Sequence, residues 1–107
     1  MPNPPDLLFK ALADPTRRAL YERLSINGEL TVRALTDRSG VSQPAVSKHL
    51  PVLKTAGLIA DRQEGRQTHY SVRPQALEPL VDWMNVHAAF WRDRFDEFEN
   101  LLGRMDQ

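Results

Sequence analysis

The 107-residue sequence predicts a mainly α-helical chain with one small β-hairpin. Three observations carry this. Apolar residues recur at helical spacing in five stretches, Pro and Gly punctuate their ends, and between residues 58 and 72 the pattern changes to two strand-like runs around a Gly turn. The length suits one core, so the chain reads as a disordered arm over 1–5 followed by a single domain over 6–107.

The elements follow in order. Leu7, Leu8, Ala11 and Leu12 define a first helix, and Asp14-Pro15 supplies an N-cap and a first-turn proline for a second. The second carries Ala19, Leu20 and Leu24 and closes on Asn27-Gly28. Thr31 caps a short third helix that runs through Ala34 and Leu35 to Ser39 and stops at Gly40. Ser42 caps a fourth, which Gly57 ends. Inside it, Pro51 removes the amide that would bond the Ser47 carbonyl, so a bend or early loosening is expected there, on the solvent side. Leu58–Gln63 and Gln67–Val72 flank Glu64-Gly65-Arg66 as a hairpin. A long helix then runs from Gln75 to about residue 103, with Pro79 in its first turn.

Composition closes several function classes. Fourteen Lys+Arg balance fourteen Asp+Glu, which excludes a protein that coats polyanions by bulk charge. The balance is uneven along the chain, however. Residues 33–73 carry seven cations and three acids, whereas residues 81–107 carry three Arg and six acids. With no Cys, disulfides, thiolate metal sites and cysteine nucleophiles are excluded. Neither a signal peptide nor a membrane span is expected, so the expected location is cytoplasmic. No nucleophile, base and orienting group recur together, and no Gly-rich phosphate loop is present, so no catalytic residue is assigned.

The most informative feature is the third and fourth helices joined across Gly40-Val41-Ser42, the pattern of a helix-turn-helix whose second helix enters the DNA major groove. The following hairpin makes it winged, and a winged-helix protein-interaction module without sequence-specific DNA binding is the alternative reading. Val46, Leu50 and Leu53 share one face of the fourth helix, and Pro44, Ser47, Lys48, Pro51 and Thr55 lie on or near the other. Gln43 can pair bidentately with adenine, Ser47 can reach base edges, and Lys48 suits phosphate or guanine. The candidate DNA-contacting set is Ser42, Gln43, Pro44, Ser47, Lys48, His49 and Lys54, with Arg62, Arg66 and Gln67 on the wing. His49 reads as a structural histidine or a phosphate contact, and His69 as a DNA contact or a cross-hairpin partner. Arg17 and Arg18 sit at the unfavourable end of a helix dipole and need a partner: phosphate, or Asp14 and Glu22.

The run Val41-Ser42-Gln43-Pro44-Ala45-Val46-Ser47-Lys48-His49-Leu50, continued by Val52 to Ile59, resembles the recognition helix of the ArsR family of winged-helix regulators. Ala11 to Arg18 resembles that family's entry into its second helix, and Glu64 to Tyr70 resembles its wing. The resemblance implies a homodimeric, operator-binding transcriptional regulator, usually a repressor, with a small-molecule effector possible. It points to the metal-free branch, because Thr31-Val32-Arg33 stands where a Cys-containing segment would be. His49, His69 and His87 lie on three different elements, so neither a metal site nor a cofactor is expected.

The last helix addresses assembly. Leu77, Leu80, Met84, Ala88, Trp91, Phe95, Phe98 and Leu102 form one stripe, widened by Trp83, Phe90 and Leu101. Such a face is too broad for one thin domain to cover. The expected dimer interface therefore combines Leu7, Leu8 and Ala11 of the first helix with Leu80, Trp83, Met84, His87, Ala88, Trp91, Phe95, Phe98 and Leu102 of the last. A pocket, if formed, is expected in that interface around Trp83, His87 and Trp91.

Overall fold

The computed structural model describes residues 3–105. Its elements are α1 (Pro4–Ala13), α2 (Pro15–Asn27), β1 (Leu30–Thr31), α3 (Val32–Thr36), α4 (Gln43–Thr55), β2 (Ile59–Glu64), β3 (Gln67–Val72) and α5 (Glu78–Met105). The backbone divides into two compact units, Met1–Leu77 and Glu78–Gln107, where the sequence led to the expectation of one domain over 6–107.

Helix α1 begins inside the expected arm. The Asn3 side chain accepts the Asp6 N–H at 3.1 Å, and Pro4 and Pro5 fill first-turn positions whose amides need no partner. Of the arm over 1–5, residues 4 and 5 are thus helical and Asn3 is a cap; Met1 and Pro2 lie outside the described residues.

Asp14 caps α2 by accepting the Arg17 N–H at 3.0 Å. Within the chain Arg17 and Arg18 bind backbone carbonyls. Arg17 donates through Nε to the Ala11 carbonyl at 2.7 Å and through Nη2 to that of Lys10 at 3.1 Å, and Arg18 Nη1 reaches the Leu12 carbonyl at 3.1 Å. These are terminal carbonyls that α1 cannot satisfy internally, and cations there complement its dipole.

Strand β1 was not foreseen, since two residues are too few to show a period. It pairs antiparallel with β3, Leu30 opposite Tyr70 and Thr31 opposite His69, and so extends the hairpin to a three-stranded sheet in the order β1-β3-β2. The hairpin register sets Glu64 opposite Gln67, leaving a two-residue Gly65-Arg66 turn and not the three-residue loop expected. Gly65, at φ 62°, holds the positive-φ position that a tight hairpin turn requires.

Helix α3 ends at Thr36, three residues short of the expected Ser39. Asp37 leaves helical geometry and Arg38 adopts φ 61°, so the chain turns before Gly40. Helix α4 runs unbroken through Pro51 to Thr55, so the loosening expected there does not occur. Pro51 is exposed, and its ring is accommodated on the solvent side. After the Ala56 cap, Leu58 N–H bonds the Leu53 carbonyl and Gly57 N–H that of Lys54, both at 3.0 Å, and Leu53 and Leu58 are buried. This paired closure is the Schellman motif with its hydrophobic contact.

The core of the first unit draws Leu8 and Ala11 from α1, Leu20 and Leu24 from α2, Leu35 from α3, and Val46, Leu50 and Leu53 from α4. Leu8 and Ala11 are therefore core residues, which corrects their assignment to a dimer interface; both are at most 2% exposed. Helix α5 starts at Glu78, not Gln75, and none of its residues is buried. Among the described residues no helix is long and apolar enough to cross a membrane.

Candidate nucleic-acid interface

One face of α4 is committed to the core. Val46, Leu50 and Leu53 are no more than 1% exposed, which fixes the rotation of the helix about its axis. The opposite face must then point outward, and Gln43, Pro44, Ser47 and Lys48 are all exposed. Ser42 is spent locally, its hydroxyl accepting the Ala45 N–H at 3.3 Å as the N-cap. Lys48 has no acidic partner among the described residues. His49 is half-buried.

Arg23, which no sequence motif marks, holds this helix-turn-helix together. Arg23 donates through Nη1 to the carbonyls of Leu35 at 2.5 Å and Asp37 at 2.7 Å, and through Nη2 to that of Ala34 at 2.9 Å. It closes the end of α3 and braces the turn that aims α4. No local pattern announces it, because its acceptors lie eleven to fourteen residues away. Arg17 and Arg18 do the same for α1.

The wing differs from the start of α4. Lys54 forms an ion pair with Asp61 at 3.0 Å, and Arg62 is held by Glu29 and, at 3.0 Å, by Glu64. Hydrogen bonding to Arg62 pulls the Glu29 carboxyl below its ordinary range and raises the guanidinium further above its own. Arg66 and Gln67 are exposed at the hairpin end. The structure thus brings Gln43, Pro44, Ser47 and Lys48 together on one outward surface, and it ties Lys54 and Arg62 to acidic neighbours. His69 pairs across the sheet with both Thr31 and Arg62.

Helix α5 carries rings in sequence. Trp83 and His87 lie 4.2 Å apart between centroids, Phe90 meets Trp91 edge-on at 5.5 Å, Trp91 and Phe95 are 6.2 Å apart, and Arg94 covers the Phe90 face at 4.3 Å. Among the described residues no group of three His, Cys, Asp or Glu side chains forms a metal-binding cluster.

A helix-turn-helix with its reading face exposed and a hairpin beside it defines the class of winged helix-turn-helix DNA-binding proteins. Residues 12–62 match the family described as "Helix-turn-helix domain". The chain is 50% identical over 98 residues to the HTH-type transcriptional regulator Rv2034 of Mycobacterium tuberculosis, covering 92% of this chain and 88% of that one. It is 35% identical over 77 residues to the transcriptional repressor SdpR of Bacillus subtilis, covering 72% and 84%. Among solved structures, the ArsR family transcriptional regulator RHA00566 superposes with a TM-score of 0.72 at 32% identity, covering 86% of this chain and 97% of that one. The chain belongs to the ArsR family of winged helix-turn-helix transcriptional regulators.

Proposed function

We propose that the chain works as a cytoplasmic homodimeric repressor that sets two α4 helices into successive major grooves of an inverted-repeat operator, about 34 Å apart. The carrying observation is the division of α4 between a fully buried face and an exposed face bearing Gln43, Ser47 and Lys48. Phosphate contacts through Lys48 and Arg66 position the protein, and Gln43 and Ser47 read base edges.

The dimer reading rests on α5. Met84, Trp91, Phe95, Phe98 and Leu102 are 44% to 63% exposed, a continuous apolar stripe. Covering it with the same stripe of a second copy is favourable at about 25 cal/mol per Å² of apolar surface. Leu80, Ala88 and the rings of Trp83 and His87 extend the interface. An effector, if one acts, is placed by this reading in the assembled interface near Trp83, His87 and Trp91.

Sedimentation combined with a gel shift on the DNA upstream of the chain's own gene, at two salt concentrations, tests the whole reading. A dimer whose DNA affinity falls steeply with salt is expected. A monomer, or a shift indifferent to salt, overturns it.

A further inference from the structure

Arg62 is a wing cation whose guanidinium is already gripped. Its Nε donates to both carboxylate oxygens of Glu29, at 3.0 and 2.9 Å, and its Nη2 donates to Glu29 Oε1. Nη1 donates to Glu64 Oε2 at 3.0 Å. The Nε–Nη2 edge is the fork with which an arginine takes a phosphate or carboxylate bidentately, and Glu29 fills it.

Topology, not sequence proximity, creates the contact. Glu29 precedes β1 and stands thirty-three residues before Arg62. Because Thr31 lies opposite His69 and His69 opposite Arg62, the short β1 brings Glu29 up to the wing. His69 stands between the acids, with Nδ1 3.7 Å from Glu29 and Nε2 3.6 Å from Glu64. Two carboxylates against one guanidinium leave this patch with a formal negative balance, so it repels phosphate.

We propose that Glu29 is a specificity-determining positioning residue, which acts by holding Arg62 away from the DNA backbone. A wing arginine free to grip phosphate would strengthen binding to every sequence alike, because the backbone carries no sequence information. Occupying its fork with Glu29 removes that contact and leaves more of the discrimination to α4. The proposal rests on DNA binding by this chain.

The test measures the salt dependence of binding to a mixed-sequence duplex for the parent, Glu29→Gln, Arg62→Gln and the double variant, with the fold of each checked by circular dichroism. In Glu29→Gln the plot of log affinity against log salt steepens by about 1.8, one added phosphate contact in each protomer of the dimer, so fourfold dilution of salt strengthens binding about twelvefold more than in the parent. Adding Glu29→Gln to Arg62→Gln produces no comparable steepening, and Glu29→Asp, which keeps the charge, returns the slope toward the parent's. An unchanged slope in Glu29→Gln, or equal steepening with and without Arg62, overturns the proposal. A parent whose binding ignores salt overturns the DNA-binding reading itself, and the proposal with it.

Discussion

At the start of α4, amide and cationic side chains face solvent; along the wing, cationic side chains are paired within the chain. Among the described residues Lys48 has no ion-pair partner, whereas Lys54, less than two turns further along the helix, is bound to Asp61, and Arg62 to Glu29 and Glu64. A cation's residue type therefore says little about whether it meets DNA. Its intramolecular partners decide, and they are set by strand register and helix rotation.

The largest expected effect removes the brace that aims α4. Arg23→Gln leaves terminal carbonyls of α3 without their charged donor and should cost on the order of 3 kcal/mol in urea unfolding. Specific DNA binding should fall with it, while the wing ion pairs persist. Next, Gln43→Ala should relax preference at one position per half-site by about 1–3 kcal/mol, read by binding-site selection. Equal loss on every sequence would remove its base-reading role. A smaller effect is expected at the N-cap shared by the turn and the reading helix: Ser42→Ala should destabilise by about 1 kcal/mol in urea unfolding.

The smallest effect is acid sensitivity. Glu29 is held below its ordinary range by the Arg62 hydrogen bond, and Asp14 by the Arg17 backbone N–H. Carboxyls lowered in the folded state contribute stability above their unfolded values and lose it as pH falls through the folded ones. The urea midpoint should therefore hold from neutrality to about pH 5 and decline below it, less steeply in Glu29→Gln.

Much of this was legible in the sequence because it is local. Asp14, Thr31 and Ser42 each cap the helix that follows, and Val46, Leu50 and Leu53 mark the buried face of α4 by period alone. What escaped depends on distant pairing. The two-residue β1 has no periodic signal, so neither it nor the approach of Glu29 to Arg62 could be read. Arg17, Arg18 and Arg23 bind backbone carbonyls, which carry no residue-type signature. Leu8 and Ala11 lie on an amphipathic face, and such a pattern marks a buried surface without saying whether the core or a partner buries it. Pro51 does not loosen α4: its ring is exposed, and four further helical residues follow it.

The most direct measurement compares salt slopes of operator binding for Lys48→Ala and for the charge-neutral double variant Lys54→Gln/Asp61→Asn. If the start of α4 carries the phosphate contact and the paired cation does not, Lys48→Ala lowers the slope by about 1.8, one contact from each protomer, and the double variant leaves it unchanged. The reverse pattern, or equal loss in both, would contradict the division between the two regions.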